Sequence, residues 1–492
     1  MITGRSLCSQ RLLLAFVGLF GGVMLESNRA FLSVAIVCMV NNTDLNTINT
    51  TKTTSPVSEH AEFFWSKSEQ AGILSAYFYG YMVTQIPAGI LASKYGGKHV
   101  VFIGMLIGSI TTLLLPIGAR TSIYLVYVLR VILGASQGVY FPSVHGMWGQ
   151  WAPPLERTKL LAICYSGTKI GTIAAFAFSG FLCEYGFDNG WGSMFYLSGG
   201  LCVLWCGVWY ITVSSTPSKH PRISREERTY ILDSIGGSHK VSPTPWLLMM
   251  TSAATWACLI GHVCSEWVTQ TLRTHAPTFM NEVFNFNITE NGLLSSIPYM
   301  SQAVSSLIAG QLADYLRSRK YLSTTATRRI FQSVGFIGTG ASLVCTGYVD
   351  VDNRYVAVFL LACAMWFVGL GAAGFMVNFV DFAPRHGGVL FGVANSIMAL
   401  VAGVGGPTVA GALTPNKSQE EWRNVFYVCG GFCILGTVVF GTQARGELQP
   451  WAVDKVEVVV RESKDVLTVS SSALQLNSGR LEEKTTRIST HL

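Results

Sequence analysis

Twelve long apolar runs, separated by short polar segments, organise most of this sequence. Each run approaches the roughly 20 apolar residues that an α-helix needs to cross a bilayer. Because backbone polar groups in lipid must be satisfied within the spanning segment, such runs predict helices rather than irregular chain. The sequence therefore predicts an all-α membrane protein with spans near 12–40, 71–91, 99–119, 122–145, 159–183, 193–213, 247–272, 291–313, 329–349, 355–378, 387–411 and 424–444.

Charge is scarce in this chain. Only 12% of the residues are Asp, Glu, Lys or Arg, against roughly 25% in soluble domains. The net charge of +7 comes from short basic segments between the apolar runs, which indicates orientation in a membrane rather than a nucleic-acid surface. Nearly all of the 12 Cys lie inside apolar runs, so no disulfide framework is expected. No catalytic set, metal cluster or cofactor motif is found, and an enzyme is not expected.

The chain carries an internal duplication. Residues 191–202 share Trp, Phe, Tyr, two Gly and Cys with residues 422–433, at an offset of 231. Residues 88–92 match 309–313 at an offset of 221, and 72–75 match 292–295 at 220. Parallel repeats of this kind are typical of transporters whose halves rock about a site near the midplane. We predict six-helix halves at 1–213 and 247–444, a basic cytosolic linker at 214–246 and a disordered cytosolic tail at 445–492.

Two independent patterns predict the orientation. Lys and Arg concentrate in the loops on one side of the predicted spans, which places that side and both termini in the cytosol. The loops on the opposite side carry four N-x-S/T sequons, which are acceptors of N-glycosylation when they face a secretory lumen. The predicted glycosylation sites are Asn41, Asn49, Asn287 and Asn416.

The loop after the second apolar run has a recognisable pattern. It reads GILASKYGGK at 89–98, and a second copy after the eighth run keeps Asp314 followed by Arg317. Both copies resemble the loop motif of the major facilitator superfamily, although Ser93 stands where that family usually has Asp. The resemblance implies a fold of twelve transmembrane helices in two pseudo-symmetric halves, and an interhelical latch at the cytosolic gate.

A narrower resemblance covers nearly the whole chain. The segments RAFLSVAIV (29–37), YGYMVTQIP (79–87), WAPPLER (151–157), NGLLS (291–295), DFAPR (381–385) and EWRNVF (421–426) are similar to the family of sialin, the vesicular glutamate transporters and the type I sodium/phosphate transporters. The motifs are closest to sialin-like members. The resemblance implies transport of small organic anions, driven by protons, membrane potential or sodium in different members.

Three basic residues lie well away from the ends of their predicted spans, where a charge is costly and marks a functional candidate. Arg29 and Arg130 each present a planar guanidinium that matches a carboxylate or phosphate, and the resemblance implies substrate-handling arginines at both positions. Lys169 lies about 15 Å along the fifth predicted helix, where an anion ligand and an ion-pair partner are equally compatible with it. All three are predicted to bind substrate, and pairing with an internal carboxylate is the alternative.

Four further residues are candidates for ion coupling. Glu26 lies three residues before Arg29, so a structural ion pair and a protonation switch that releases Arg29 both remain open. Gln137 shares a helix face with Arg130 at the position where sialin-like members have Glu, and an amide cannot titrate. His262 and Glu266 are four residues apart and form a candidate pair that titrates between pH 5 and 8.

A set of charged residues near the cytosolic ends of the spans is predicted to form the gate. Its members are Lys94, Lys98, Glu156, Arg157, Asp314, Arg317, Asp381 and Arg385. Several aromatic residues are candidates for lining the cavity, with ordinary packing as the alternative. These are Tyr77, Tyr79, Tyr81, Tyr299 and Phe375.

Several alternatives stay open at the level of sequence. Gln137 also fits the phosphate-transporter branch, so sodium-dependent phosphate cotransport is a second candidate function. A non-transporting receptor or trafficking factor built on the same fold is a third. The coupling ion, H⁺ or Na⁺, and the anion are undetermined, no nucleic-acid partner is expected, and a functional monomer is expected. Plasma, lysosomal and synaptic vesicle membranes are all compatible with the sequence.

Overall fold

The computed structural model describes residues 9–40, 61–153, 156–235, 245–383 and 386–452. Helices dominate these residues, and they group into twelve segments that follow the order of the predicted spans. The first six are α1 (Gln10–Met39), α2 (Lys67–Tyr95), α3 (Gly97–Thr121), α4 (Ile123–Gly138 and Tyr140–Trp151), α5 (Arg157–Tyr185) and α6 (Trp191–Thr212).

The second six segments follow a linker that contains short helices at Arg225–Ile235 and Trp246–Thr251. They are α7 (Ala253–Phe284), α8 (Ile288–Ser318), α9 (Thr324–Thr346), α10 (Arg354–Leu370, Gly371–Ala373 and Phe375–Phe382), α11 (Gly387–Met398, Ala399–Val404 and Gly405–Leu413) and α12 (Gln419–Gln443). Within α11, residues 399–404 form a π-helix where this helix packs against α2. The predicted tail beyond residue 452 lies outside the described residues.

Hydropathy separates the segments into two groups. Eight of the described helical segments are long and apolar enough to cross a membrane by length and composition alone, and α2, α7, α8 and α9 are not among them. The predicted span at 247–272 is wrong in register, because the helix runs from Ala253 to Phe284 and Trp246–Thr251 is separate. Its polar second part, 269–275, is almost entirely buried against other helices, so apolarity underestimates its length.

The two halves repeat the same packing. In the first half α1 packs on α5, α2 on α4 and α3 on α6; in the second half α8 packs on α10 and α9 on α12. Glycine permits the closest of these approaches, because a Cβ on Gly134 of α4 would overlap the carbonyl oxygen of Tyr77 on α2. A Cβ on Gly167 of α5 would likewise overlap that of Leu19 on α1. Small residues at helix contacts are typical of membrane bundles.

The bundle has two ends, which are named here by their features. The linker side holds the start of α1, the end of α12 and the linker between the halves. The disulfide side is the opposite end, where Cys38 at the end of α1 is bonded to Cys183 near the end of α5. The expectation of no disulfide framework is therefore wrong for this pair. It failed because both cysteines sit at the last turns of apolar helices, and apolar composition hid their position at the bundle end.

The halves touch most closely toward the disulfide side. There α5 meets α8, since a Cβ on Gly292 would lie 2.6 Å from the backbone nitrogen of Gly180. The hydroxyl of Ser75 on α2 hydrogen-bonds to the carbonyl oxygen of Val404 at 3.1 Å and to Thr408 at 3.0 Å, both on α11. These contacts join the two halves at this end.

Candidate functional site

Arg29 sits near the middle of the bundle, where α1 faces α7 and α2. Its guanidinium donates a hydrogen bond to Oε1 of Gln270 on α7 at 2.7 Å and lies 3.6 Å from the carboxylate of Glu26. It also lies over the rings of Tyr77 and Phe78, 5.3 and 4.7 Å from their centroids. The structure therefore turns Arg29 inward and fixes it between an amide, a carboxylate and two aromatic faces.

Arg130 approaches the same place from α4. It is only 2% exposed, and its guanidinium lies 5.2 Å from the centroid of the Tyr77 ring, so two arginines share this one tyrosine. Its Nε donates to the carbonyl oxygen of Ile73 at 3.4 Å, whereas its NH1 is buried without a hydrogen-bond partner among the described residues. A buried guanidinium that lacks a counter-charge is costly, so the arrangement suits an anion that arrives from outside the protein.

Gln137 lies on the same helix as Arg130 and is fully buried. Its Oε1 accepts a hydrogen bond from the Tyr77 hydroxyl at 3.0 Å, while its Nε2 has no hydrogen-bond partner in the described part of the chain. The amide thus fixes the Tyr77 ring beneath the two arginines. In this geometry Gln137 helps to orient the cluster by holding the ring of Tyr77.

Lys169 reaches the cluster from α5. Its ammonium donates to Oε1 of Gln302 on α8 at 3.3 Å, which joins the two halves. Glu266 accepts a hydrogen bond from Nε2 of Gln270 at 2.9 Å and interacts electrostatically with Lys169. Gln270 therefore links Glu266 to Arg29, and all the predicted substrate and coupling residues except His262 form one connected network.

One member of the cluster, Arg273, is absent from the sequence prediction. It lies on α7, is 8% exposed, and its NH1 lies 3.2 Å from the carboxylate of Glu26 on α1. The predicted seventh span ended at 272, which left this arginine outside the membrane. A usable signal existed, because Glu26-Ser-Asn-Arg29 aligns with Gln270-Thr-Leu-Arg273 at an offset of 244.

The predicted His262–Glu266 pair is not held by a hydrogen bond among the described residues. The imidazole instead lies among the rings of Phe375, Phe379 and Phe391, with centroid separations of 5.0, 6.3 and 5.4 Å. Its Nδ1 is buried and finds no hydrogen-bond partner in the described chain. His262 is placed in an aromatic cage, and Glu266 reaches it only electrostatically.

The predicted gate residues of the second half lie on the linker side and make contacts within that half. Asp381 pairs with Arg328 at 2.6 Å and with Arg317 at 3.9 Å, and Arg317 also lies 3.9 Å from Asp314. Arg328 is buried and donates to the carbonyl oxygen of Ala373. A surface cleft of about 620 Å³ adjoins Asp314 and Arg317, away from the central cluster.

The gate residues of the first half behave in the same way. Glu156 pairs with Arg11 at 3.1 Å, and the ammonium groups of Lys94 and Lys98 lie over the rings of Tyr95 and Tyr210. Arg157 begins α5, but its side chain, like the whole of Arg385, lies outside the described residues.

Two of the predicted sequons can be located. Asn287 caps α8, where its side chain accepts a hydrogen bond from the backbone nitrogen of Glu290 at 2.7 Å. Asn416 is exposed and donates to Glu421 at 2.7 Å. Both lie on the disulfide side, whereas Asn41 and Asn49 fall outside the described residues. Glycosylation at all four stays a prediction.

The charges in the cluster do not cancel. Four cationic side chains, Arg29, Arg130, Lys169 and Arg273, face two carboxylates, Glu26 and Glu266, which leaves two positive charges in excess. Ionisable groups within a bundle are expensive and mark the path of a solute. The cluster therefore has the electrostatics of a binding site for a small anion.

Comparison with known proteins agrees with this geometry. The family model of the Major Facilitator Superfamily matches residues 18–327. The chain is 38% identical to human sialin, over 91% of this chain and 92% of that protein. It is 41% identical to the uncharacterized transporter slc-17.2 of Caenorhabditis elegans, over 91% and 94%, and 35% identical to human vesicular glutamate transporter 2, over 90% and 75%.

Solved structures show the same fold. A bacterial homolog of the human lysosomal transporter Spinster, in an inward-facing conformation, superposes with a TM-score of 0.66 at 14% identity, covering 89% of this chain and 97% of that one. A D-xylose–proton symporter superposes with a TM-score of 0.63 at 15% identity, covering 88% and 97%.

The fold and the buried charged cluster define a multi-pass membrane transporter of the major facilitator type, with twelve helices in two pseudo-symmetric halves. Within that class, the chain belongs to the family of sialin and the vesicular glutamate transporters. The predicted fold class, family and organic-anion transporter class are thereby confirmed. Phosphate cotransport is not favoured by these relatives.

Proposed function

We propose that this chain is a secondary active transporter that carries a small organic anion through the centre of its bundle by alternating access. The observation that carries the proposal is the guanidinium of Arg130, buried beside Arg29 and Tyr77 with its NH1 unpartnered among the described residues. A carboxylate bound there would satisfy that donor and reduce the excess positive charge of the cluster.

Alternating access requires the site to be reachable from each side in turn. The contacts between the halves at the disulfide side, such as Gly180 with Gly292 and Ser75 with Val404, close that end. The ion pairs of Asp381 and Glu156 at the linker side lie within single halves and do not join them. We infer that the structure is open toward the linker side.

The orientation follows from two features. Basic residues concentrate on the linker side, and disulfides persist in oxidising compartments. We therefore place the linker side and both termini in the cytosol, and the disulfide side in a lumen or outside the cell. The name of the vesicular glutamate transporters favours a vesicle membrane over the plasma membrane as the place to look first.

The driving force divides into two candidates. Gln137 cannot bind a proton, so proton coupling would have to use another carboxylate, such as Glu26 or Glu266. Membrane potential needs no titrating group, because a net charge moved across the membrane is itself driven by the potential. Sodium coupling has no observation in its favour among the described residues.

The test is uptake by purified protein in proteoliposomes, with pH and voltage imposed separately. Radiolabelled N-acetylneuraminate, glutamate, aspartate, urate and inorganic phosphate form the panel. We expect at least one of the organic anions to enter, and Arg130→Ala to remove most of that uptake. Arg354→Ala is the matched control, since Arg354 is a partly exposed residue on the disulfide side that lies 4.0 Å from Glu290.

The outcomes separate the candidates. Uptake of phosphate alone would favour the cotransporter alternative, and specific binding without flux would favour a receptor. Uptake of organic anions that survives Arg130→Ala at the wild-type rate would refute the assignment of this arginine to the site.

A further inference from the structure

A crossed pair of contacts joins the two halves at the cluster. Glu26 and Arg29 on α1 correspond to Gln270 and Arg273 on α7, since both pairs are three residues apart and the offset is 244 throughout. Arg29 donates to Gln270 at 2.7 Å, and Arg273 lies 3.2 Å from the carboxylate of Glu26. Each arginine therefore binds the residue that precedes the other arginine by one helical turn.

The crossed pair is asymmetric in one respect. Gln270 is an amide, which does not titrate, whereas Glu26 is a carboxylate, which does. Glu26 is 5% exposed and lies closer to Arg273, at 3.2 Å, than to Arg29 on its own helix, at 3.6 Å. The only titratable member of the pair thus bridges the halves and serves as the nearest counter-charge of Arg273.

We propose that Arg273 is a third anion-binding arginine, and that the carboxylate of Glu26 occupies the place at Arg273 where the carboxylate of the cargo binds. When the carboxylate of the cargo takes the place of Glu26 at Arg273, Glu26 loses its main counter-charge inside the bundle and takes up a proton from water on the open side. Anion and proton then bind together. This inference rests on the proposed function and adds to it the group that binds the proton.

Two physical arguments support the exchange. A buried carboxylate stays ionised only while an opposite charge is near, and it becomes protonated when that charge is engaged elsewhere. The Nε of Arg273 has no hydrogen-bond partner among the described residues, so the guanidinium has a free donor to offer an incoming carboxylate. A cargo held by Arg130 from one half and Arg273 from the other would contact both halves at once.

Other groups that face Glu26 belong to the same network and set the condition for protonation. Cationic groups face it from α1, α5 and α7, and phenols face it from α2 and α8. They are Arg29, Lys169, Arg273, Tyr77, Tyr81 and Tyr299. Lys169 and Arg29 add to the positive field of Arg273 at Glu26, so the cargo must neutralise this field before a proton binds.

The experiment measures proton uptake on binding. Full-length protein in detergent is titrated calorimetrically with N-acetylneuraminate, and separately with glutamate, in buffers of different ionisation enthalpy. We expect wild type to take up about one proton per bound anion, and Glu26→Gln to bind anion with no proton uptake. Arg273→Leu is expected to weaken binding at least tenfold, and Arg273→Lys to restore part of it.

Proteoliposomes supply a second readout. Glu26→Gln should reduce at least tenfold the stimulation of anion uptake by a pH gradient, measured as the ratio of uptake with and without the gradient in the same variant. Glu290→Gln, a carboxylate at the start of α8 on the disulfide side, is the matched control and should behave as wild type. Melting temperatures of all variants show whether a loss reflects unfolding.

The outcomes distinguish the two proposals. Anion binding without proton uptake in wild type, or unchanged proton uptake in Glu26→Gln, overturns this inference and leaves the proposed function standing. Proton uptake that disappears in Glu266→Gln and persists in Glu26→Gln overturns it in favour of Glu266. Absence of both binding and flux for every anion of the panel overturns the proposed function and this inference together.

Discussion

The disulfide side and the linker side of the bundle are built from the same two halves, yet they are tied differently. At the disulfide side, Lys67 of α2 forms an ion pair with Glu282 of α7, and Gly180 of α5 packs on Gly292 of α8. At the linker side, the ion pairs of Asp381 and Glu156 stay within one half. Contacts between the halves, rather than the folding of each half, therefore decide which end is closed.

The central cluster lies at the boundary between these two regions. Its ties between the halves, Arg29 with Gln270 and Arg273 with Glu26, are carried by side chains that also face the proposed cargo. If the cargo replaces Glu26 at Arg273, the contacts between the two halves therefore change. A transporter needs such a connection, because a ligand shifts an equilibrium only through different contacts in its two states.

The largest effect is expected from a bulky residue at the contact between α5 and α8. Gly292→Leu would drive a side chain into the backbone of Gly180, so the disulfide side could not close and uptake should fall at least tenfold. Gly200→Leu on α6 is the control, because a Cβ there meets no other atom within 4 Å. Wild-type uptake by Gly292→Leu would show that closure at this contact is not required.

A smaller effect is expected from the ion pair that crosses the disulfide side. Lys67 and Glu282 are 11% and 3% exposed in their side chains, and Trp422 also donates to Glu282 at 3.2 Å. Removing one charge of a buried pair costs about 3–5 kcal/mol, whereas replacing both is often neutral. We expect Lys67→Met to lower the melting temperature strongly and Lys67→Met/Glu282→Leu to recover most of the loss.

A double variant that melts as low as Lys67→Met alone would contradict the expectation that the unpaired carboxylate of Glu282 causes the loss. A double-mutant cycle with Glu282→Leu gives the coupling between them directly.

The disulfide should have a smaller effect than the contacts between the halves, because both of its cysteines lie within the first half. Cys38→Ser removes the covalent tie between α1 and α5 and should lower the melting temperature by several degrees, with loss of about 2–4 kcal/mol. Cys345→Ser, at an exposed free cysteine, is the control. Equal melting of the two variants under oxidising conditions would mean that the bond contributes nothing to stability.

The smallest effect concerns the loop before α2. Arg120 donates hydrogen bonds to Glu62, and these hold the pKa of the Glu62 carboxyl below its ordinary value. A lowered folded-state pKa gives stability that is present above the unfolded pKa of about 4.3 and is lost as pH falls through the folded pKa.

Glu62→Gln should therefore lower the free energy of unfolding by the same amount at pH 7.5 as at pH 5.5, and by no more than about 1 kcal/mol. Thermal melting at both pH values measures it, with the exposed Asp352→Asn as control. A cost that vanished already at pH 5.5 would contradict the lowered pKa.

The sequence predicted the fold well because its signals are local or repeated. Apolar runs, the two copies of the loop motif and the offset of 231 required no knowledge of tertiary contacts. Arg29 and Arg130 stood out for a similar reason, since a charge inside an apolar run is visible in the sequence alone. The structure adds that both arginines meet at the ring of Tyr77.

The misses share one cause, which is that tertiary burial overrides local composition. Arg273 and the polar stretch around it are buried by α1 and other helices, so an apolarity threshold ended the span too early. Cys38 and Cys183 are 145 residues apart, and their pairing depends on how α1 packs on α5. Spacing along the sequence pairs His262 with Glu266, but the aromatic residues that surround His262 come from α10 and α11.

The central claim is that guanidiniums from both halves hold one anion at the middle of the bundle. The most direct measurement is an experimental structure of the full chain in lipid nanodiscs with the transported anion bound. We expect a carboxylate within hydrogen-bonding distance of Arg130, with Arg273 turned from Glu26 toward the same ligand. An anion bound elsewhere, with Arg273 still paired to Glu26 and the NH1 of Arg130 still unoccupied, would contradict it.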